Sequence, residues 1–163
     1  MPRVIAIVSS VILLASSSHA SQPDNTHVAR NALYGELGGK GGMYGVYFER
    51  LISDQLGVTI GFSRWSFEFL SVQEVTVIPV FITWYPVGSS ARLYVDVGGE
   101  YVHAFASGAL FSGSSGSGAF GVVGTGLAVR APGGGIFFKV GPLLFVGGSS
   151  VELWGNVSLG CTI

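Results

Sequence analysis

Seven ionisable residues interrupt stretches that are otherwise apolar or alternating: Glu36, Glu49, Arg92, Asp96, Glu100, Lys139 and Glu152. On the two-residue period of a strand they fall on the face opposite the large apolar side chains, with Arg92 in the parity of Asp96. Carboxylates and cations gathered on one face support two kinds of chemistry. They can pair into a buried polar network that holds a structure together, or they can relay protons or small ions along a gated path.

Other reactive residues lack the spacing that catalysis needs. A Ser–His hydrolase needs its base within hydrogen-bond reach of the nucleophile. After residue 20 the chain has two histidines, His27 and His103. His103 precedes Ala104-Phe105 and lacks the His-x-Ser-Asn arrangement of the small barrel lipid A deacylases, while Asp96 has the opposite strand parity and cannot orient it. There is no G-x-S-x-G elbow. A lone Cys161 and separated histidines do not give zinc spacing. Gly113–Gly118 carries no Lys and precedes no helix, so it reads as a surface loop and not a phosphate loop. Asn156-Val157-Ser158 matches a glycosylation acceptor but falls inside a strand. No catalytic residue, metal or cofactor is expected.

The elements that must position the charges follow from composition and rhythm. Only 10% of the 163 residues are charged and 48% are hydrophobic, too little polar surface for a soluble domain of this size. A net charge of −1 with scattered Lys and Arg excludes a nucleic-acid footprint. Residues 1–20 read as a cleaved signal peptide: Arg3, an apolar Val4–Ala15 and the small-x-small site Ser18-His19-Ala20. Residues 21–30 read as a short periplasmic lead-in. The most apolar later stretch, Val75–Val87, is too short for a spanning helix and holds Pro79 and Pro86. A membrane form of the chain must therefore be a closed barrel.

Residues 31–163 divide into eight strand-like segments: Asn31–Gly39, Met43–Leu51, Leu56–Glu68, Val72–Tyr85, Ala91–His103, Ala119–Arg130, Ile136–Val146 and Ser150–Ile163. The last is clearest, with Val151, Leu153, Val157 and Leu159 opposing Glu152, Trp154, Asn156 and Ser158. The fourth is apolar on both faces, and its orientation, like that of the sixth, stays open. The expected fold is all-β, an eight-stranded antiparallel up-and-down transmembrane barrel. Ile52–Gln55, Pro86–Ser90 and Ala131–Gly135 are short periplasmic turns, and Ala104–Gly118 is the longest outer connection. Tyr44, Phe48, Trp65, Trp84, Tyr85 and Tyr101 fit interfacial girdles, and Arg50, Arg64 and Arg130 sit near strand ends, where they can snorkel. Such a barrel is about filled by its own side chains, which favours the structural network over the ion path.

The run Leu33 to Arg50, LYGELGGKGGMYGVYFER, resembles the opening hairpin of small bacterial outer-membrane β-barrel proteins of the Bacteroidota type, with an E-L-G-G-x-G turn followed by an aromatic stretch and E-R. Gly45 replaces the usual Ser, and Ile163 stands where such barrels usually end in an aromatic. The resemblance implies location and fold: an outer-membrane protein of Gram-negative type, with outer-membrane lipids and the barrel-assembly machinery as partners. It implies no chemistry, and no small-molecule ligand is indicated. A structural or surface-interaction role is expected; a narrow channel for a small solute and a membrane-embedded lipid-modifying enzyme are the alternatives.

Overall fold

The computed structural model describes residues 29–163 apart from 69–71, 89, 109–110, 132 and 148–149. Side chains are described for the same residues except 67–68, 72–73, 107–108 and 111–113. The expected signal peptide, most of the lead-in and His27 lie outside the described residues.

Eight strands follow one another: β1 (Asn31–Gly38), β2 (Tyr44–Leu51), β3 (Leu56–Glu68), β4 (Val72–Trp84), β5 (Ala91–Gly108), β6 (Phe111–Arg130), β7 (Gly135–Gly147) and β8 (Ser150–Thr162). Each pairs antiparallel with its neighbours in sequence, and β8 closes onto β1. At the seam the Asn31 N–H donates to the Ile163 carbonyl at 3.1 Å, and the Ile163 N–H donates back at 2.9 Å. Closure removes the unpaired edges that an open sheet would expose.

Strand ends agree with the sequence reading to within one residue, except at the fifth and sixth strands. There the expected outer loop Ala104–Gly118 is corrected. The β5–β6 ladder continues from Val102↔Gly118 to Ala106↔Ser114. Backbone hydrogen bonds need no bulky side chains, so a Ser/Gly/Ala stretch can continue a strand that its hydrophobic pattern does not announce. β6 pairs with β7 only from Gly121 onwards. The segment before it therefore stands above β7 as one side of a ribbon.

Two prolines mark the gaps in the ladders. β3 and β4 pair at Ile60↔Val80 and again at Ser63↔Val77, with the interval around Pro79 left unpaired. β6 and β7 likewise skip the interval opposite Pro142, between Gly124↔Leu143 and Leu127↔Val140. Proline has no N–H to donate to a ladder.

The pleat sorts the residues into two populations. Outward, every strand exposes large apolar side chains, among them Leu37 on β1, Val46 on β2, Ile60 on β3, Ile82 on β4, Val97 on β5, Leu127 on β6, Ile136 on β7 and Leu153 on β8. Inward lie most of the buried charges. The orientations left open by the sequence are resolved: on β4, Val77, Phe81 and Thr83 point in and Ile78, Val80 and Ile82 out; on β6, Val122, Ala128 and Arg130 point in and Val123, Leu127 and Val129 out.

Candidate functional site

Inside the barrel the charged side chains form one alternating chain. Arg130 of β6 donates to Glu49 of β2 at 2.7 Å. Glu49 lies 3.6 Å from the Lys139 ammonium of β7, which lies 3.0 Å from Asp96 of β5. Asp96 is 2.7 Å from Lys40 Nζ, and Lys40 is 3.7 Å from Glu36 of β1. The sign changes at every step, and three cations balance three anions. Removing six charges from water is costly, and only complete pairing offsets it.

The remaining hydrogen-bonding capacity is largely used. Glu36 accepts from Asn156 Nδ2 at 3.0 Å, from Ser158 Oγ at 2.9 Å and from the Lys40 backbone N–H at 2.8 Å. Glu49 accepts from the Tyr85 hydroxyl at 2.8 Å and from Thr59 Oγ1 at 3.4 Å. The ammonium of Lys139 sits 4.3 Å from the centroid of the Tyr94 ring, and that of Lys40 sits 5.0 Å from Phe81. Both arrangements are cation–π contacts strengthened by desolvation. Tyr34 stacks on Tyr47 and Phe137, with centroids 5.3 and 4.7 Å apart, and fills the adjoining space. Lys40, Glu49, Asp96 and Lys139 have 0% exposure, so water does not reach these four residues.

Lys40 is the member that the sequence reading left in a turn. The β1–β2 connection folds into the barrel as a single 3-10 turn, Gly39–Gly41. Gly38, Gly39 and Gly42 have φ of 65°, 75° and 80°, a region that other residues adopt at a cost. A Cβ on Gly39 would lie 2.6 Å from Asn156 Cβ, and one on Gly41 would lie 2.8 Å from the Tyr47 hydroxyl. Ser63 Oγ and Trp65 Nε1 donate to the Gly41 carbonyl at 2.8 and 3.0 Å and pin the turn down. The signal was a single Lys bracketed by two glycine pairs. Those glycines let a turn descend far enough to deliver an ammonium to Asp96.

Of the seven residues picked from the sequence, Glu36, Glu49, Asp96 and Lys139 are brought together in this chain. Arg92 is buried at the other end, where it donates to the Asp54 carbonyl of the β2–β3 turn at 2.8 Å. Glu100 is buried beyond the network, and Glu152 stands exposed at the rim, accepting from Trp154 Nε1 at 3.4 Å. Three assignments are corrected. Arg130 does not snorkel: it is 2% exposed and turned inward to Glu49, because its strand parity is that of Ala128 and Val122. Tyr85 is no girdle residue but a buried donor to Glu49. Trp65 bends over the inward turn instead of standing in an interface.

No protein-family model matches the chain, and no curated protein matches it in sequence. Solved structures do match in shape. The N-terminal β-barrel domain of Pseudomonas aeruginosa OprF superimposes with a TM-score of 0.61 at 14% identity, over 82% of this chain and 96% of that one. Neisserial surface protein A gives 0.53 at 14%, over 82% and 92%. Ail, the attachment invasion locus protein of Yersinia pestis, gives 0.52 at 15%, over 83% and 98%. The chain has the fold of the small outer-membrane barrels.

In such a barrel the outward face of the upper rim is where His103 lies. Its Nδ1 is 3.0 Å from Ser117 Oγ, across a directly paired position of β5 and β6, and both side chains are exposed. This is the histidine–hydroxyl pairing that a lipid-modifying enzyme would need. Among the described residues no carboxylate hydrogen-bonds the ring, so nothing holds the tautomer that a base requires.

Proposed function

We propose that the protein is an integral outer-membrane barrel with a structural or surface-interaction role, no catalytic act and no standing pore. The observation that carries this reading is the inverted distribution of polarity: every strand exposes apolar side chains outward, while six charges pair in the interior. In water such a continuous apolar belt is an association hazard. In a bilayer it is the stable arrangement for a closed sheet. Its partners are then outer-membrane lipids and, during insertion, the barrel-assembly machinery, after export on the 1–20 signal peptide. The Bacteroidota-type affiliation is supported by the Leu33–Arg50 run.

The channel alternative conflicts with the packing of Lys139, Asp96, Lys40 and the stacked tyrosines. The lipid-modifying alternative keeps one observation in its favour, the His103–Ser117 hydrogen bond. Replacing Ser117 with Ala separates the readings: unchanged lipid A acylation in cells expressing the variant or the wild type supports the structural role.

The first experiment compares unboiled and boiled samples from isolated outer membranes by electrophoresis, alongside a carbonate wash. A mobility shift on heating, with the protein retained after the wash, is expected. A carbonate-soluble protein without a shift overturns the membrane reading.

A further inference from the structure

At the ribbon-bearing end the lumen widens into a cavity of about 270 Å³, between β5, β6, β7 and β8. Glu100 and Val102, Phe120, Phe145, Glu152 and Trp154 line it. Glu100 is only 6% exposed, and its Oε1 has no hydrogen-bond partner among the described residues. The chain from Arg130 to Glu36 is balanced within itself, so Glu100 is a carboxyl group outside that balance, in a partly desolvated site. Glu152 adds a second carboxylate at the rim. Phe145 and Trp154 meet edge to face at 5.9 Å, so the aromatic wall has a defined shape.

We infer that this mouth binds a small organic cation, an ammonium group carried on an apolar body. Burial disfavours the charged form of a carboxyl group that faces no cation, and a bound cation offsets that cost. Aromatic faces attract ammonium groups and quaternary ammonium most selectively. Other ligand classes fit worse. Two carboxylates in an apolar wall fall short of the six to eight oxygens that calcium takes, and an anion would be repelled. The cavity has room for a small solute. Its lining residues have the inward parity of their strands, so the site faces the barrel axis and not the outward apolar belt. The ligand is therefore a free solute from the aqueous side and not a bilayer headgroup.

The test uses the folded barrel in dodecyl maltoside micelles and follows the Trp154 indole N–H by NMR, assigned with Trp154→Phe. Choline is titrated against 3,3-dimethylbutan-1-ol, its neutral isostere. Choline is expected to shift the resonance saturably and to bind at least tenfold tighter than the alcohol. Glu100→Gln should weaken choline at least tenfold, and Glu152→Gln several-fold. The heat-induced mobility shift, read on each variant, reports folding separately from binding. Should Glu100→Gln not fold, the isostere comparison on wild type and the rim variant decide. Equal binding of the two probes, or an indole unmoved by choline, overturns the site. The same shift produced by phosphatidylcholine nanodiscs without choline overturns the assignment to a free solute.

Discussion

Asp96 and Glu100 are inward-facing carboxylates on the same strand, and they sit in opposite circumstances. Asp96 lies between two ammonium groups at 2.7 and 3.0 Å. Glu100, four residues further along the strand towards the mouth, keeps an oxygen without a partner among the described residues and borders a cavity instead of a lysine. In the middle of the barrel each charge thus has an oppositely charged partner within the chain. At the mouth one acid has no such partner among the described residues, whereas the unpartnered atoms of the middle, Arg130 Nη2 and the Tyr34 and Tyr47 hydroxyls, leave no charge unpaired. What a buried carboxylate does follows from what faces it, not from its residue type or its strand parity.

The largest effect should come from opening the complete region. Asp96→Leu strands two buried ammonium groups, each left with only its longer contact, Lys40 to Glu36 at 3.7 Å and Lys139 to Glu49 at 3.6 Å. Removing one partner of a buried pair costs roughly 3–5 kcal/mol. Urea unfolding of the barrel in micelles, followed by tryptophan fluorescence, should show a loss of that size. Adding Lys139→Met to the same chain should recover part of it. A double variant no more stable than the single one would mean that Lys139 does not couple to Asp96.

A smaller effect should follow from disturbing how Lys40 is delivered. Gly39→Ala leaves every charge in place but forces a side chain onto a residue with φ of 75° and against Asn156. Strain of this kind costs about 1–3 kcal/mol. The same urea titration should report a loss in that range. An unchanged midpoint would show that the turn can rearrange without lifting Lys40 out of the lumen.

These two regions were not equally legible in the sequence. The alternation in Ser150–Ile163 and in the other amphipathic strands placed the barrel, and the shared parity of Glu36, Glu49, Asp96 and Lys139 placed them on one face, because strand periodicity carries that information directly. Lys40 was hidden since it reaches the lumen through a folded-in turn, where no periodicity applies. Arg130 was hidden because proximity to a strand end resembles an interfacial position, and only its parity shows that it points inward. The β5–β6 ribbon was hidden because Ser, Gly and Ala carry no apolar alternation. Glu100 was singled out with the others, yet the absence of a partner for its Oε1 among the described residues depends on which side chains four separate strands bring to the mouth, and that is a property of the assembled barrel.

The finest comparison replaces each carboxylate by its amide. At Asp96 the change removes the anion that two ammonium groups share, and stability must fall. At Glu100, among the described residues, no cation loses an ion-pair partner, because neither of its oxygens takes part in an ion pair with the network. The substitution Glu100→Gln removes a carboxyl group whose charged form burial disfavours and leaves an amide of nearly the same shape with comparable hydrogen-bonding needs. Its effect on the urea midpoint should therefore lie within about 1 kcal/mol of wild type and should not be a loss. A loss as large as that of Asp96→Leu would mean that Glu100 has a cationic partner within the chain. The mouth would then be complete without a ligand, and the distinction between the two regions would disappear.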